Sequence, residues 1–449
     1  MKKFKKATFF IILFLVIALN YKITGVSVLG TNQPVVEVQN SELPGKRIEN
    51  NSFFFRQQPV VEEESEEEPE PEPEIVTTTA TISAVGDLMV HTWQMRDAYD
   101  KESGEYDFSN DFEMVTKYFN QVDFRTGNLE TVFAGADIGY SDFPMFNTPD
   151  SFGQALKDAG FDLLTTANNH SLDKKEAGLL RTLDVLDELG ISHVGTYRSQ
   201  EERDSFVIKD INGINVAFLS YSYGTNGLPV PKGKDYLINL MNRDLIKADL
   251  EAVKALNPDV IIVMPHMGNE YELTPKKVFV DWVDFMIECG ADIVLASHPH
   301  VLQPMEVKDY TDENGESRKV FIAYSLGNFI SSQRTQPRDA GIIVNITLTK
   351  TGDEQAEIDM VEFIPTWVQF TNQSGMDYVR VLGVADALNQ YENGVENQLR
   401  PKDITRLKGV HKWITDIYIE GGVPLEDMKE IYTFYQREET NRNIDLAGE

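Results

Sequence analysis

From Thr81 onward the chain alternates short apolar runs with amphipathic stretches. "TISAVGDLMV" reads as a strand and "DFEMVTKYFNQV" as a helix, and a short strand leads into "FRTGNLETVF". The spacing then predicts a helix in "SFGQALKDAGF", a strand in "DLLTTAN", a helix in "KKEAGLLRTLDVLDELG" stopping at Gly190, and a strand in "ISHVGT". "SFVIKDINGINVAFLSYS" reads as a hairpin turning at Asn212-Gly213, a pair suited to positive φ. Helices are expected in "NRDLIKADLEAVKALN" and "PKKVFVDWVDFMIECG". Strands are expected in "DVIIVMPHMG", "ADIVLASHPH", "KVFIAYSLGN" and "AGIIVNITLT", ahead of "AEIDMVEFIPTWV". Strands alternating with helices imply an α/β fold, and the hairpins add antiparallel strands, so two mixed sheets are expected. From about residue 377, "YVRVLGVADALNQY", "KDITRLKGVHKWITDIYI" and "LEDMKEIYTFYQR" read as a mostly helical extension.

The first 76 residues differ. "MKKFKK" precedes the apolar run "ATFFIILFLVIAL", the shape of an export signal whose basic end stays inside. The run is shorter than the roughly 20 residues of a spanning helix, but continuing through "YKITGVSVLG" reaches that length. Residues 1–30 are therefore read as a signal-anchor or a cleaved signal peptide. Residues 31–76 are read as an acidic stalk, since "VVEEESEEEPEPEPEIV" repels itself and its prolines favour extended chain. Residues 77–376 form the folded domain and 377–449 the helical extension. The body is expected outside the cytoplasmic membrane, held by one N-terminal segment, or secreted if the signal is cleaved.

The net charge of −31 argues against nucleic acid as a partner. The acidity is not confined to the stalk: residues 1–74 carry a net of −4, leaving −27 for the rest. The lone Cys289 rules out an intrachain disulfide and reads as a small core residue at a helix end.

Ligands in open α/β sheets bind beyond the carboxyl ends of strands. Read in order, those ends give Asp87 and His91, then Asn128 and Glu130, then Asn168, Asn169 and His170. His266 follows, then His298 and His300, then Ser325 and Asn328. Five of the seven histidines fall at such ends, while His193 and His411 read as structural. In "SHPH" an extended path through Pro299 would point both imidazoles to one side. Imidazoles mixed with hard oxygen donors suit divalent Zn, Mn or Fe, and this many ligands suits two ions sharing a carboxylate.

"GNLE", "ANNH", "SHPH" and "YSLGNF", in this order, resemble the CapA family of poly-γ-glutamate capsule biosynthesis proteins, itself similar to calcineurin-like metallophosphoesterases. The resemblance runs from about Thr81 to Trp367. It implies a four-layer αββα sandwich with the site at one edge. It also implies metal ligation by Asp87, Asn169, His266, His298 and His300, with His170 as an acid or transition-state donor. Two positions depart from the phosphoesterase pattern. Met89 stands where a histidine follows the first aspartate, with His91 two residues later. Asn128 stands in the slot of the bridging aspartate, so Glu130 is expected as the bridge or as a ligand, and one or two ions are allowed.

Three functions remain open at this point. One is a hydrolase-like protein handling an anionic surface polymer such as poly-γ-glutamate, alongside other membrane proteins of capsule synthesis. The second is a metal-dependent phosphodiesterase or phosphatase, and the third a non-catalytic polymer-binding module. Arg125, Lys174, Lys175, Arg334 and Arg338 lie near the motifs, and some of them are expected to flank the cleft and guide an acidic chain into it.

Overall fold

Alternating side chains give each central strand two buried faces. Along the first strand Ile82 and Ala84 face one core and Val85 another; further on, Ile262 and Met264 oppose Ile261 and Val263. A strand buried on both faces must be covered on both, which dictates a layered fold. The computed structural model describes residues 75–373, 376–395 and 398–438.

The first four strands are β1 (Thr77–Leu88), β2 (Phe124–Leu129), β3 (Leu163–Thr165) and β4 (Ser192–Val194). Then come β5 (Val207–Ile211), β6 (Ile214–Ser222), β7 (Val260–His266), β8 (Ile293–Leu295), β9 (Met305–Thr311) and β10 (Ser317–Ala323). The last five are β11 (Asn328–Ile330), β12 (Ala340–Thr351), β13 (Glu357–Gln373), β14 (Met376–Gly383) and β15 (Tyr432–Gln436). One sheet has the order β14-β13-β12-β1-β2-β3-β4, with β11 also paired to β1 and β15 to β13; the other runs β5-β6-β7-β8-β10-β9.

The sheets face each other across a core that includes Ile82, Phe124, Leu163, Phe218, Ile262, Ile293 and Phe321. Helices Asp150–Asp158 and Lys175–Glu188 cover the outside of the first sheet through Phe152, Leu156 and Leu186. Helices Arg243–Lys254 and Lys277–Cys289 cover the second through Ile246, Leu250, Val283 and Met286. This is the expected αββα sandwich. The hairpin turns where its sequence placed it, with Asn212 at φ +53° and Gly213 at +85°. Cys289 ends its helix just before Gly290, which takes the left-handed φ of +119°.

Several segments differ from expectation. "DFEMVTKYFNQV" holds only one α-helical turn, Thr116–Phe119, because Phe112 and Phe119 are pinned among Phe161 and Phe329 in an aromatic cluster. The first stretch of the extension, "YVRVLG", is strand β14. Its Val379 and Val381 alternate into the core beneath the first sheet, which outweighs helical spacing. Helices Val384–Glu392 and Pro401–Tyr418 follow as expected, but "IYTFYQ" is strand β15 paired to β13. β9 and β11 have no counterpart in the sequence reading. β9 is largely polar and half-exposed, and β11 spans only three residues.

The signal segment and nearly all of the stalk lie outside the described residues. Among the described residues, no helix is long and apolar enough to cross a membrane.

Candidate metal centre

Both sheets deliver polar side chains to one edge of the sandwich. Gly86 lets β1 approach the turn before β11: a Cβ there would lie 1.9 Å from the Gly327 carbonyl oxygen. Asp87 follows immediately and is fully buried. β2 ends at Asn128 and Glu130, β3 leads to Asn168–His170, β7 ends at His266, and β8 leads to His298 and His300. The His-Pro-His segment is not the extended path expected. His298 has φ +103° and His300 +58°, so the imidazoles converge through a left-handed bend. The bend is seated on Gly268, where a Cβ would meet Pro299 at 2.7 Å, and the Pro299 carbonyl accepts the Tyr271 N–H at 2.8 Å. Backbone held this way costs about 1–3 kcal/mol per residue and is concentrated at functional sites.

Two groups of possible ligands share one residue. Glu130, His266 and His298 can direct ligand atoms within 4.8 Å of one another, and so can Asp87, Glu130 and His300. Glu130 Oε1 lies 3.6 Å from His266 Nε2 and 3.8 Å from His300 Nε2. Asn169 Oδ1 is 2.6 Å from His266 Nε2 and so joins the first group. His300 Nδ1 faces Asp87 Oδ2 at 3.0 Å and Asn328 Oδ1 at 3.1 Å, which leaves its Nε2 toward Glu130. Asn128 is not placed as a ligand: its Oδ1 accepts from Thr165 at 3.1 Å and Asn168 at 3.3 Å. Its Nδ2 donates to Asp87 Oδ1 at 2.9 Å.

The electrostatics fit a divalent cation. Both Glu130 carboxylate oxygens and His298 Nδ1 are buried without a hydrogen-bond partner among the described residues. Buried polar atoms are rarely left so unless something else satisfies them. Burial, then the charge of Asp87, holds the Glu130 carboxyl well above the usual range. Burial also works to raise Asp87, but the bonds from His300 and Asn128 outweigh it and the net is a lowered value. Burial, then His300, pushes His298 down to about 3; burial, then His298 and His300, holds His266 well below its ordinary value. Neutral imidazoles facing an uncompensated carboxylate are the donor set a metal requires.

His170 stands beside this set with its Nδ1 2.7 Å from Asp173 Oδ2, which also accepts the Phe146 N–H at 2.7 Å. The carboxylate accepts the Nδ1–H, fixes the ring and leaves Nε2 free to exchange a proton. Asn168 holds Asn128 and the Leu129 carbonyl, as a supporting residue should. His91 packs edge-on against Phe146 and accepts the Ser332 N–H, with burial pushing it down to about 4. It belongs to neither ligand group.

Two expected residues are placed elsewhere. Arg125 sits at the opposite end of β2, where its guanidinium binds the Phe119 and Val122 carbonyls and Asp162. Ser325 accepts the Gly327 N–H at 3.2 Å and shapes a turn. His193 pairs with Asp187 and His411 with the Tyr432 hydroxyl, both structural as read. Sequence reasoning missed Asp173 and Glu270. Glu270 can join His298 and His300 from the exposed rim. Both lie inside quoted motifs, "ANNHSLD" and "MPHMGNEYE", three and four residues beyond a histidine; that spacing was the available signal.

Residues 81–333 match the sequence model of the family described as bacterial capsule synthesis protein PGA_cap. The chain is 27% identical over 272 residues to the capsule biosynthesis protein CapA of Bacillus anthracis, covering 59% of this chain and 62% of that protein. It is 28% identical over 285 residues to the PGA biosynthesis protein CapA of Bacillus subtilis (strain 168), covering 62% and 70%. The chain thus spans less than two thirds of the length of the B. anthracis relative. Among solved structures, the Haemophilus influenzae NAD nucleotidase aligns with TM-score 0.42 and 12% identity over 75% of this chain and 63% of that one. The calcineurin-like phosphoesterase YfkN of Bacillus subtilis aligns with TM-score 0.36 and 14% identity, over 75% and 97%.

Proposed function

Since the chain belongs to the bacterial capsule synthesis protein family PGA_cap, we propose that it is a metal-dependent hydrolase acting on an anionic surface polymer such as poly-γ-glutamate, on the outer side of the cytoplasmic membrane. The observation that carries the metal-dependent part is Glu130, a buried carboxylate with no hydrogen-bond partner among the described residues, shared by two groups of buried candidate ligands. Asp87 and His300 would hold one divalent ion with Glu130; Asn169, His266 and His298 would hold a second. A bound ion of this kind supplies a Lewis acid and lowers the pKa of a coordinated water. His170, its Nδ1–H held by Asp173, presents Nε2 to the leaving group, to which its protonated form would deliver a proton. A site that only held polymer would have no use for that proton, so the His170–Asp173 pair favours catalysis.

Purified full-length protein loaded with Zn, Mn or Fe is expected to shorten poly-γ-glutamate, read as chain length by gel filtration, and chelated protein is not. Metal-loaded protein that ignores the polymer but hydrolyses bis-p-nitrophenyl phosphate would instead be a phosphodiesterase. Equal polymer binding with and without metal, and no cleavage of either probe, would leave a holding module.

The location rests on the basic and apolar start of the chain. Protease added to wall-stripped cells is expected to remove the folded domain, and protection of that domain would overturn the topology.

A further inference from the structure

The fold sorts the five basic side chains that stand near the motifs in sequence. Arg125 is at the far end of β2, and Lys174 donates to the Met145 carbonyl at 2.9 Å. Arg334 lies over the Trp93 and Phe370 rings, 5.2 and 4.4 Å from their centroids. Lys175 lines an apolar groove beside Leu172 and Leu180. Arg338 is different. Its guanidinium carbon is 3.2 Å from the centroid of Tyr271, whose ring centroid is 6.1 Å from that of His300. Its backbone carbonyl accepts Asn328 Nδ2 at 2.9 Å, and Asn328 Oδ1 is 3.1 Å from His300 Nδ1. By side chain and by backbone, Arg338 is one residue away from a candidate ligand.

We infer that Arg338 receives a carboxylate of an acidic polymer at the mouth of the metal centre, with Tyr271 as the platform that aims its guanidinium. This rests on the polymer-handling reading above. Among the described residues no carboxylate lies within ion-pair distance of this guanidinium. The adjacent Asp339 is engaged by Arg406 at 2.6 Å and by Trp367 Nε1 at 2.9 Å. A guanidinium resting on an aromatic face keeps its N–H edge for a bidentate oxyanion, which a lysine does not reproduce. The need for such a receptor follows from charge. A chain of net charge −31 repels a polyanion, and exposed Glu270 adds to that at the mouth. A screened field reaches only about 8–10 Å, so attraction must come from groups in contact with the substrate.

The test measures binding of fluorescein-labelled poly-γ-glutamate to metal-loaded, full-length protein by anisotropy, with metal content determined on the same samples. Arg338→Gln should weaken binding by about 10- to 100-fold with metal content unchanged, and Arg338→Lys should recover only part of the loss. Orthophosphate as competitor separates the oxyanion classes. Competition that weakens in Arg338→Gln in step with polymer binding supports a general oxyanion receptor; competition left unchanged while polymer binding is lost supports a carboxylate receptor. Wild-type affinity in Arg338→Gln overturns the inference and leaves the proposed function standing. A wild-type protein that binds no polymer in either metal state overturns both.

Discussion

Glu130→Gln is expected to empty both ligand groups at once. Glutamine keeps the shape of the side chain but removes the charge that both groups share. Disturbing a residue that merely supports a ligand costs roughly 10- to 100-fold in metal affinity, so loss of the shared ligand should cost at least roughly 100-fold at each position. His298→Ala and His300→Ala should each weaken one group, whereas His193→Ala and His411→Ala should leave metal content unchanged. Metal per chain, measured by elemental analysis after dialysis, checks this series. Equal loss in all of these variants would mean that the effect is on folding.

The same substitution should stabilise the chain when metal is withheld. The Glu130 carboxyl is raised in the fold by burial and by Asp87, from an ordinary value of 4.5. As pH rises past the ordinary value the unfolded side chain ionises first, while burial and Asp87 keep the proton longer on the folded one. Its contribution to stability is therefore fully present below about pH 4.5 and is lost as pH rises toward the folded value. Metal-free Glu130→Gln should melt above metal-free wild type, by a margin that widens from pH 5 to pH 8. Metal-loaded wild type should melt above both, because an ion that binds only the folded state stabilises it.

The second large effect concerns turnover. His170→Ala should lower kcat by about 10²- to 10⁴-fold with bound metal unchanged, the range for removal of a general acid or base. Asp173→Asn should act in the same direction, because the amide can no longer hold the imidazole with its proton on Nδ1. A pH–rate profile of the two variants separates loss of the proton donor from loss of its orientation. An unchanged kcat in His170→Ala would place the proton transfer elsewhere.

Much of this site was legible because strand ends are written locally. A run such as "DIVLA" followed by polar residues marks where a buried strand reaches the sheet edge, and Asp87, Glu130, Asn169, His266, His298 and His300 all follow such runs. The same local reading failed where partners are distant in sequence. Arg125 adjoins "GNLE", yet a strand of six residues carries it to the opposite end of the sheet. Val379 and Val381 sit in a helical-looking stretch, but pairing with β13 and the core beneath it decide the outcome. Ser325 sits in a motif and turned out to serve the turn itself.

The sequence by itself determined the alternation of strands and helices, the two-sheet class, the hairpin at Asn212-Gly213 and most of the candidate ligands, Glu270 excepted. These depend on periodicity, turn chemistry and residue type, which act over a few neighbours. Only the tertiary structure set Glu130 apart from Asn128 as the candidate ligand. Thr165 and Asn168 saturate the amide oxygen of Asn128, while among the described residues the oxygens of Glu130 accept no hydrogen bond and face His266 and His300. It also paired His170 with Asp173 and set Arg338 on Tyr271 beside His300. Such choices depend on which side chains from separate strands desolvate one another, and that is settled when the two sheets close face to face.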